Sequence, residues 1–277
     1  MKINIIYFSQ TGNTRKVAKT MTEVFNSENH TARTISFKNA TQADFIDSDL
    51  IGVGAPCFES QAPSIITDYL NSLPDMDNKK VFVFSTSGGA PGRVLYDLAI
   101  PFMRKKADVL GGFLCRGTCF HPAPCLVGRF PDRPNEQDLL KSKEFAKNLL
   151  THLSTGSKNL LPESRPDALK RGFSFYQIVG AILNDTLLRF LMPKPKVNEI
   201  KCTECKWCEK ECPTGSMKLS PMPIVGKNCF RCYRCVTGCP ENALSVTWGI
   251  SNFIVWTLYN QTFEHWFGDI QKGERIY

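Results

Sequence analysis

Long hydrophobic runs are missing from this chain. Nowhere do about 18 apolar residues follow one another without a charge, so no membrane-spanning helix is expected. Cysteine is too sparse for a disulfide scaffold, with 12 in 277 residues where such chains carry ~8–10%. The start, MKINIIYFSQTGNT, has one lysine and a short apolar run without a small-residue cleavage site. A secretory leader is therefore not expected, and a reducing cytoplasm is. The loop after the first apolar run has no lysine, which excludes a nucleoside-triphosphate P-loop, and no G-x-G-x-x-G follows any strand-like run, so no built-in dinucleotide site of Rossmann type is visible. No basic repeat or recognised nucleic-acid-binding motif is present, and no nucleic-acid partner is expected.

What is present suits a folded chain of about two domains, at ~150 residues each. With 42% hydrophobic and 22% charged residues, it can bury an ordinary core. Residues 2–9, 31–37, 50–54, 80–87 and 112–120 read as strands. Helical patterns occupy 15–25, 63–73, 94–109 and 136–153 between and after them. Strands alternating with helices over about 150 residues imply a parallel sheet covered on both faces, an α/β fold. Residues 154–172 are polar with two prolines and read as a linker, and 173–192 as an apolar-rich helix stopped by Pro193 and Pro195. The tail from Trp248 carries aromatics at helical spacing (Phe253, Trp256, Tyr259 or Asn260, Phe263, Trp266 and Phe267), which suits a docking face on the protein's own body or on a partner. The expected domains are 1–153, a linker and packing helix at 154–197, a small domain at 198–247 and an aromatic tail at 248–277.

Eight of the twelve cysteines crowd into 202–239. Cys202-x2-Cys205-x2-Cys208-x3-Cys212-Pro213 is repeated as Cys229-x2-Cys232-x2-Cys235-x3-Cys239-Pro240. Three thiolates at i, i+3 and i+6 wrap one turn of backbone around the corners of a metal–sulfur cube, and the turn's amides can hydrogen-bond to its sulfurs. A fourth ligand must approach from the opposite side. Structural zinc usually takes paired C-x2-C units separated by long intervals, which this doubled 2-2-3 spacing does not match. Over about residues 198–247 the pattern resembles the bacterial two-cluster ferredoxins, a small α+β domain. The resemblance implies two [4Fe-4S] clusters that exchange their fourth ligands: Cys202, Cys205, Cys208 and Cys239 on cluster one, and Cys229, Cys232, Cys235 and Cys212 on cluster two.

The loop Ser9-Gln10-Thr11-Gly12-Asn13-Thr14 lies between the first strand and the first helix. Amides at a helix start bind anions, hydroxyls of Ser9, Thr11 and Thr14 add donors, and Gly12 permits the tight turn. Over about residues 1–150 the chain resembles the flavodoxins, whose first loop has the T/S-x-T-G-x-T pattern and holds the phosphate of FMN. That likeness implies a doubly wound sheet of five parallel strands in the order 2-1-3-4-5, with FMN at their carboxyl ends. It also implies contacts to the flavin ring from Ala55, Pro56, Cys57 and Phe58 on one side. Thr86, Ser87, Gly88 and Gly89 would contact it from the other, with Phe58 and Phe120 as the candidate stacking aromatics. Cys57 would stand beside the ring as a packing residue or a redox thiol, and His121 as a structural residue or a proton donor. Cys115, Cys119 and Cys125 match no ligand spacing and suit packing.

The formal charge of +8 overstates the basicity of the loaded protein. Each cluster with its thiolates carries about −2 and the flavin phosphate about −2, which leaves about +2. A flavodoxin-like domain joined to a two-cluster ferredoxin resembles the flavodoxin–ferredoxin fusions of anaerobes, the EFR family. The resemblance implies electron transfer between the clusters, FMN and a partner redox protein. A flavin-dependent reductase of a small electrophile or quinone, with Cys57 or His121 as catalytic residue, and a redox-sensing interaction protein are the alternatives. Self-association is compatible with all three.

Overall fold

The computed structural model describes residues 1–89, 91–155, 169, 178, 181–182 and 185–257. Near-continuous apolar runs form strands β1 (Lys2–Tyr7), β3 (Leu50–Pro56) and β4 (Lys80–Ser87), as strands buried on both faces require. With β2 (Thr31–Ser36) and β5 (Asp108–Arg116) they make an all-parallel sheet ordered β2-β1-β3-β4-β5. The expected fold and strand order are those observed. Helices α1 (Asn13–Ser27) and α5 (Glu136–Ser154) pack on one face over Ile3, Ile5, Phe82 and Phe84. The crossovers α3 (Ser64–Ser72) and α4 (Val94–Arg104) pack against each other. The strand order reverses between β1 and β3, so the loops after β1, β3 and β4 meet at one crevice.

Local chemistry moved several boundaries. The helix expected at 94–109 stops at Arg104, because Lys106 takes a left-handed conformation (φ 61°) and turns the chain into β5 four residues early. A short helix α2 (Gln42–Ile46) was not anticipated; Thr41 N–H donates to the Asp44 carboxylate at 2.8 Å and starts it. The helix expected at 173–192 is described as α6 (Asp185–Leu191), with Ile178, Ala181 and Ile182 helical before it; residues 173–177, 179–180 and 183–184, the linker at 156–168 and the tail from 258 lie outside the described residues.

Two glycines determine how closely β3 and β4 pack. Gly52 pairs with Phe82 and Gly54 with Phe84 across the ladder. A Cβ on Gly52 would lie 2.4 Å from the Phe82 ring, and one on Gly54 would lie 2.1 Å from the Phe84 ring. The two phenylalanines therefore lie over bare backbone, stacked 6.3 Å apart between centroids.

The described residues of Met1–Thr118 and Phe130–Ile182 make one compact unit. Cys119–Arg129 and the described residues after Ile182 make the other. The second unit is built on the repeat, whose copies lie 27 positions apart (Cys202 to Cys229, Cys212 to Cys239). One-turn helices α7 (Trp207–Lys210) and α8 (Arg234–Thr237) start at equivalent positions, each after a left-handed residue, Lys206 (φ 61°) and Tyr233 (φ 57°). Glu204 and Arg231, also equivalent, are left-handed too. The strands cross between copies: β6 (Lys196–Val197) of the first pairs with β9 (Leu244–Ser245) of the second. Then β7 (Met217–Leu219) of the first pairs with β8 (Pro223–Val225) of the second. Helix α9 (Gly249–Trp256) follows.

Gly54→Ala is expected to lower the unfolding free energy of the first unit by ~1–3 kcal/mol through overpacking against Phe84. The measurement is denaturant unfolding, where the midpoint should fall at constant slope; an unchanged midpoint would mean that the ring yields freely.

Candidate cofactor sites

Three loops converge at the carboxyl ends of the central strands. In the first, Gly12 is left-handed (φ 104°), its N–H donates to Ser9 Oγ at 3.1 Å, and it precedes α1 without any side-chain cap. The amides of the helix's first turn have no intrahelical acceptor, and the helix dipole favours an anion there. Buried Thr14 Oγ1 lies 2.8 Å from Thr86 Oγ1, which ties the first loop to the third. Cys57 N–H donates to Thr86 O at 2.9 Å and ties the second loop to the third. A Cβ on Gly12 or Gly89 would meet nothing within 4 Å, so backbone lies open on both sides of the crevice. Open amides, hydroxyls and a helix start suit a phosphate, and the exposed backbone beside it suits a flat ring. Gln10 and Thr11 complete the first loop, partly open and exposed.

The second loop is a tight turn. Phe58 and Gln61 exchange backbone hydrogen bonds at 2.9 Å, with Glu59 and Ser60 both left-handed (φ 45° and 65°). Ser60 O accepts from Arg93 N–H at 2.8 Å, and Gly92 approaches so closely that a Cβ there would lie 2.2 Å from Ser60 O. Cys57 is held inside this arrangement, its sulfur 3.5 Å from Pro91 O. Desolvation, with Glu59 adding to it, pushes the Cys57 thiol up to about 12. A thiol raised this far favours its protonated form at neutral pH. Cys115, buried in β5, is pushed up to about 12 by the same cause.

Arg116 was not among the residues expected at the site. It is 4% exposed at the end of β5, its Nη1 donates to Gly89 O at 2.6 Å, and its guanidinium lies 4.5 Å from the Phe130 ring centroid. An arginine closing an apolar strand was the available signal. It anchors the loop of Ser87, Gly88 and Gly89, where Ser87 Oγ also bonds Gly89 O at 2.9 Å.

Phe120 and His121 fall in the second unit, within Cys119–Arg129. Cys119 and Arg129 join the ends of that segment, N–H to O at 2.9 Å. Phe120 is exposed, while the His121 ring packs 5.3 Å from Tyr233 and 5.1 Å from Trp248. His121 Nδ1 accepts from Ala123 N–H at 3.3 Å, and burial lowers its pKa to about 4, so the ring is neutral.

Four of the eight clustered cysteines share one cavity. Cys202, Cys205, Cys208 and Cys239 line one cavity of about 320 Å³, counted with its open mouth, which Leu219 and Leu244 help to wall. Burial raises the Cys208 thiol, and Cys202 and Cys239 are the cysteines that add to it. Burial also raises Cys232, with Cys235, Cys229 and Cys212 adding to it, and pushes Cys235 up to about 12, with Cys229, Cys212 and Cys208 adding to it. Thiols raised by burial and by one another ionise only against a cation, which is the chemistry of a metal–thiolate site. Among the described residues no three His, Cys, Asp or Glu side chains gather around a single-ion position; a four-iron cube holds its ligands at separate corners, farther apart than those of one ion.

A family model described as a flavodoxin domain matches residues 4–123, and one described as a 4Fe-4S binding domain matches residues 195–218. An uncharacterised protein of Methanocaldococcus jannaschii is 32% identical over 155 residues, which cover 54% of this chain and 99% of that protein. One component of the ion-translocating oxidoreductase complex of Methanosarcina acetivorans is 38% identical over 52 residues, 18% of this chain and 20% of its own. A solved flavodoxin from the domain Archaea covers 56% of this chain and 99% of its own, at 18% identity and a TM-score of 0.45. The chain belongs to the flavodoxin family in its N-terminal domain. With the 4Fe-4S binding domain that follows, it is a flavodoxin–ferredoxin fusion, and both parts are electron-transfer domains. Among the described residues no helix is long and apolar enough to cross a membrane.

Cys57 is expected to resist alkylation in the folded protein at pH 8–9, where an ordinary thiol of pKa ~8.5 is substantially ionised. With its folded pKa raised to about 12, reaction should begin only as the pH nears that value or the chain unfolds. Peptide mapping after iodoacetamide treatment reads this; rapid modification at pH 8 in folded protein would show a free thiol.

Proposed function

We propose that this protein carries FMN and two [4Fe-4S] clusters, and passes electrons among them and to or from a partner redox protein. The observation that carries this reading is the cavity that Cys239, from the second motif, shares with Cys202, Cys205 and Cys208 of the first. That sharing supports the crossed arrangement of a two-cluster ferredoxin. The family match covers the first motif, and the repeat of the same spacing 27 positions on, with the same left-handed residues, supports a second cluster.

Clusters of this kind supply single-electron exchange, and a flavin supplies exchange of one electron or two. The chain's own part is to hold and shield them. The loop of Ser9–Thr14 would anchor the phosphate through amides and hydroxyls. The turn at Phe58 and the loop held by Arg116 would flank the ring, and Cys57, with its thiol raised, would stay outside the redox chemistry. In the second unit Trp207 lies against Gly238, where a Cβ would come within 2.0 Å of the ring. At the equivalent positions of the other copy, Arg234 pairs with Glu211. These two contacts brace the turns that carry the ligands. The raised Cys57 thiol and the neutral, packed His121 favour electron transfer over the reductase alternative. The reading also expects a reducing, anaerobic cytoplasm and a partner that is itself a redox protein.

Reconstituted without oxygen, the protein is expected to hold about eight irons, eight sulfides and one FMN. Reducing the clusters with a one-electron donor should then bleach the flavin absorbance. Clusters that stay reduced beside an oxidised flavin would overturn electron transfer between them. Cys239→Ala should abolish the same cluster signal as Cys202→Ala, and Cys212→Ala the same one as Cys229→Ala; the opposite grouping would overturn the ligand assignment.

A further inference from the structure

The two copies of the cysteine motif share spacing and backbone but not surroundings. Lys206 and Tyr233 are equivalent, each following the middle cysteine of its motif in a left-handed conformation. Tyr233 is 1% exposed: its ring meets His121 at 5.3 Å and Trp248 at 5.4 Å, and its hydroxyl donates to Pro193 O at 2.8 Å. Lys206 is exposed. Among the described residues, Cys205 beside it is the exposed one of the eight motif cysteines. Ile200, at the same turn, is 97% exposed, and its equivalent in the second copy is Lys227. One ligand turn thus has its tyrosine covered by aromatic rings and its cysteines partly exposed, while the other carries an exposed cysteine beside an exposed lysine.

Electron exchange weakens steeply with distance, so the ligand sulfur that reaches the surface sets where an outside carrier delivers or takes its electron. Resting on the two-cluster reading, we propose that cluster one, reached at Cys205, is the port through which this protein exchanges single electrons with outside carriers. Cluster two then trades electrons with those carriers by way of cluster one. At each exchange the donor loses one electron and cluster one accepts it, or the reverse; no bond forms or breaks and no proton moves. The exposed charges around the port are Lys201, Lys206 and Lys210 with Glu199, Glu204 and Glu241. Their near balance means that a carrier charge of either sign can approach.

The test uses the loaded full-length protein and two small outer-sphere reductants, anionic titanium(III) citrate and cationic reduced methyl viologen. Lys206→Glu and Lys227→Glu each change the net charge by the same amount, so long-range steering shifts equally and the difference between them is local. At low ionic strength Lys206→Glu is expected to slow the titanium reaction by roughly three- to tenfold and speed the viologen reaction, with the effect shrinking in high salt. Lys227→Glu should change both much less. A readout without electron transfer is the broadening of the metal-shifted methylene resonances of Cys205 by a neutral gadolinium chelate, which should exceed that of Cys232. Equal or larger effects from Lys227→Glu, or equal broadening at both cysteines, would overturn the port. Iron and sulfide analysis comes first: about four irons per chain or none would overturn the two-cluster reading itself, and the port with it.

Discussion

The second unit depends on its cysteines for more than ligation. Its buried apolar cluster consists of Cys208, Met217, Val225 and Leu244, and much of what packs around them is again cysteine: Cys212, Cys229, Cys235 and Cys239. Its strands are two or three residues long and its ligand-bearing helices are four. Elements so short cannot bury enough surface to be stable alone, and small domains of this kind draw their folding energy from bound metal. On the proposed reading, metal–thiolate bonds are the constraint from which the rest of the unit follows. They would fix the turns and with them the left-handed residues, while the crossed strands join the two copies.

The first unit is ordered by the opposite means. Its core is a full hydrophobic layer between sheet and helices, with Ile3, Ile5, Val17, Met21, Phe25, Phe82 and Phe84 essentially inaccessible. Such a scaffold holds its shape without a cofactor and can present three loops at fixed positions. The links among those loops include Thr14 to Thr86, Cys57 to Thr86, Ser60 to Arg93 and Arg116 to Gly89. If the second unit is organised by its clusters as proposed, loss of iron and loss of flavin should differ in their structural consequences.

Most of the architecture was legible in the sequence because its signals are strong and local. The apolar runs of β1, β3 and β4 can hardly be anything but buried strands, and the 2-2-3 cysteine spacing repeats without change. The Ser9–Thr14 loop was legible for the same reason, with hydroxyls and a glycine between strand and helix. What escaped notice depends on distant partners. Gly52 and Gly54 look like weak points in a strand until the register sets Phe82 and Phe84 opposite them. Arg116 looks like a strand end until its guanidinium meets Gly89. Residues 112–120 read as one strand, yet β5 ends at Arg116, and from Cys119 the chain packs with the second unit. Periodicity carries no information about which body a loop will join.

That last point also explains why the two ligand turns looked equivalent. The repeat makes residues 202–212 and 229–239 nearly interchangeable by spacing, and their backbones follow the same path, left-handed at the same positions. Equal geometry does not give equal function, because solvent exposure and hydrogen bonding around a cluster help to set its potential and its access. The asymmetry comes from residues outside the repeat: His121 from the segment 119–129, Trp248 at the start of α9 and the Pro193 carbonyl. Each covers Tyr233, and none covers Lys206. A domain that would be close to two-fold symmetric alone thus acquires a covered end and an open end from what is attached to it. On the two-cluster reading this distinction matters, since two clusters equally open to solvent would let carriers enter at either one.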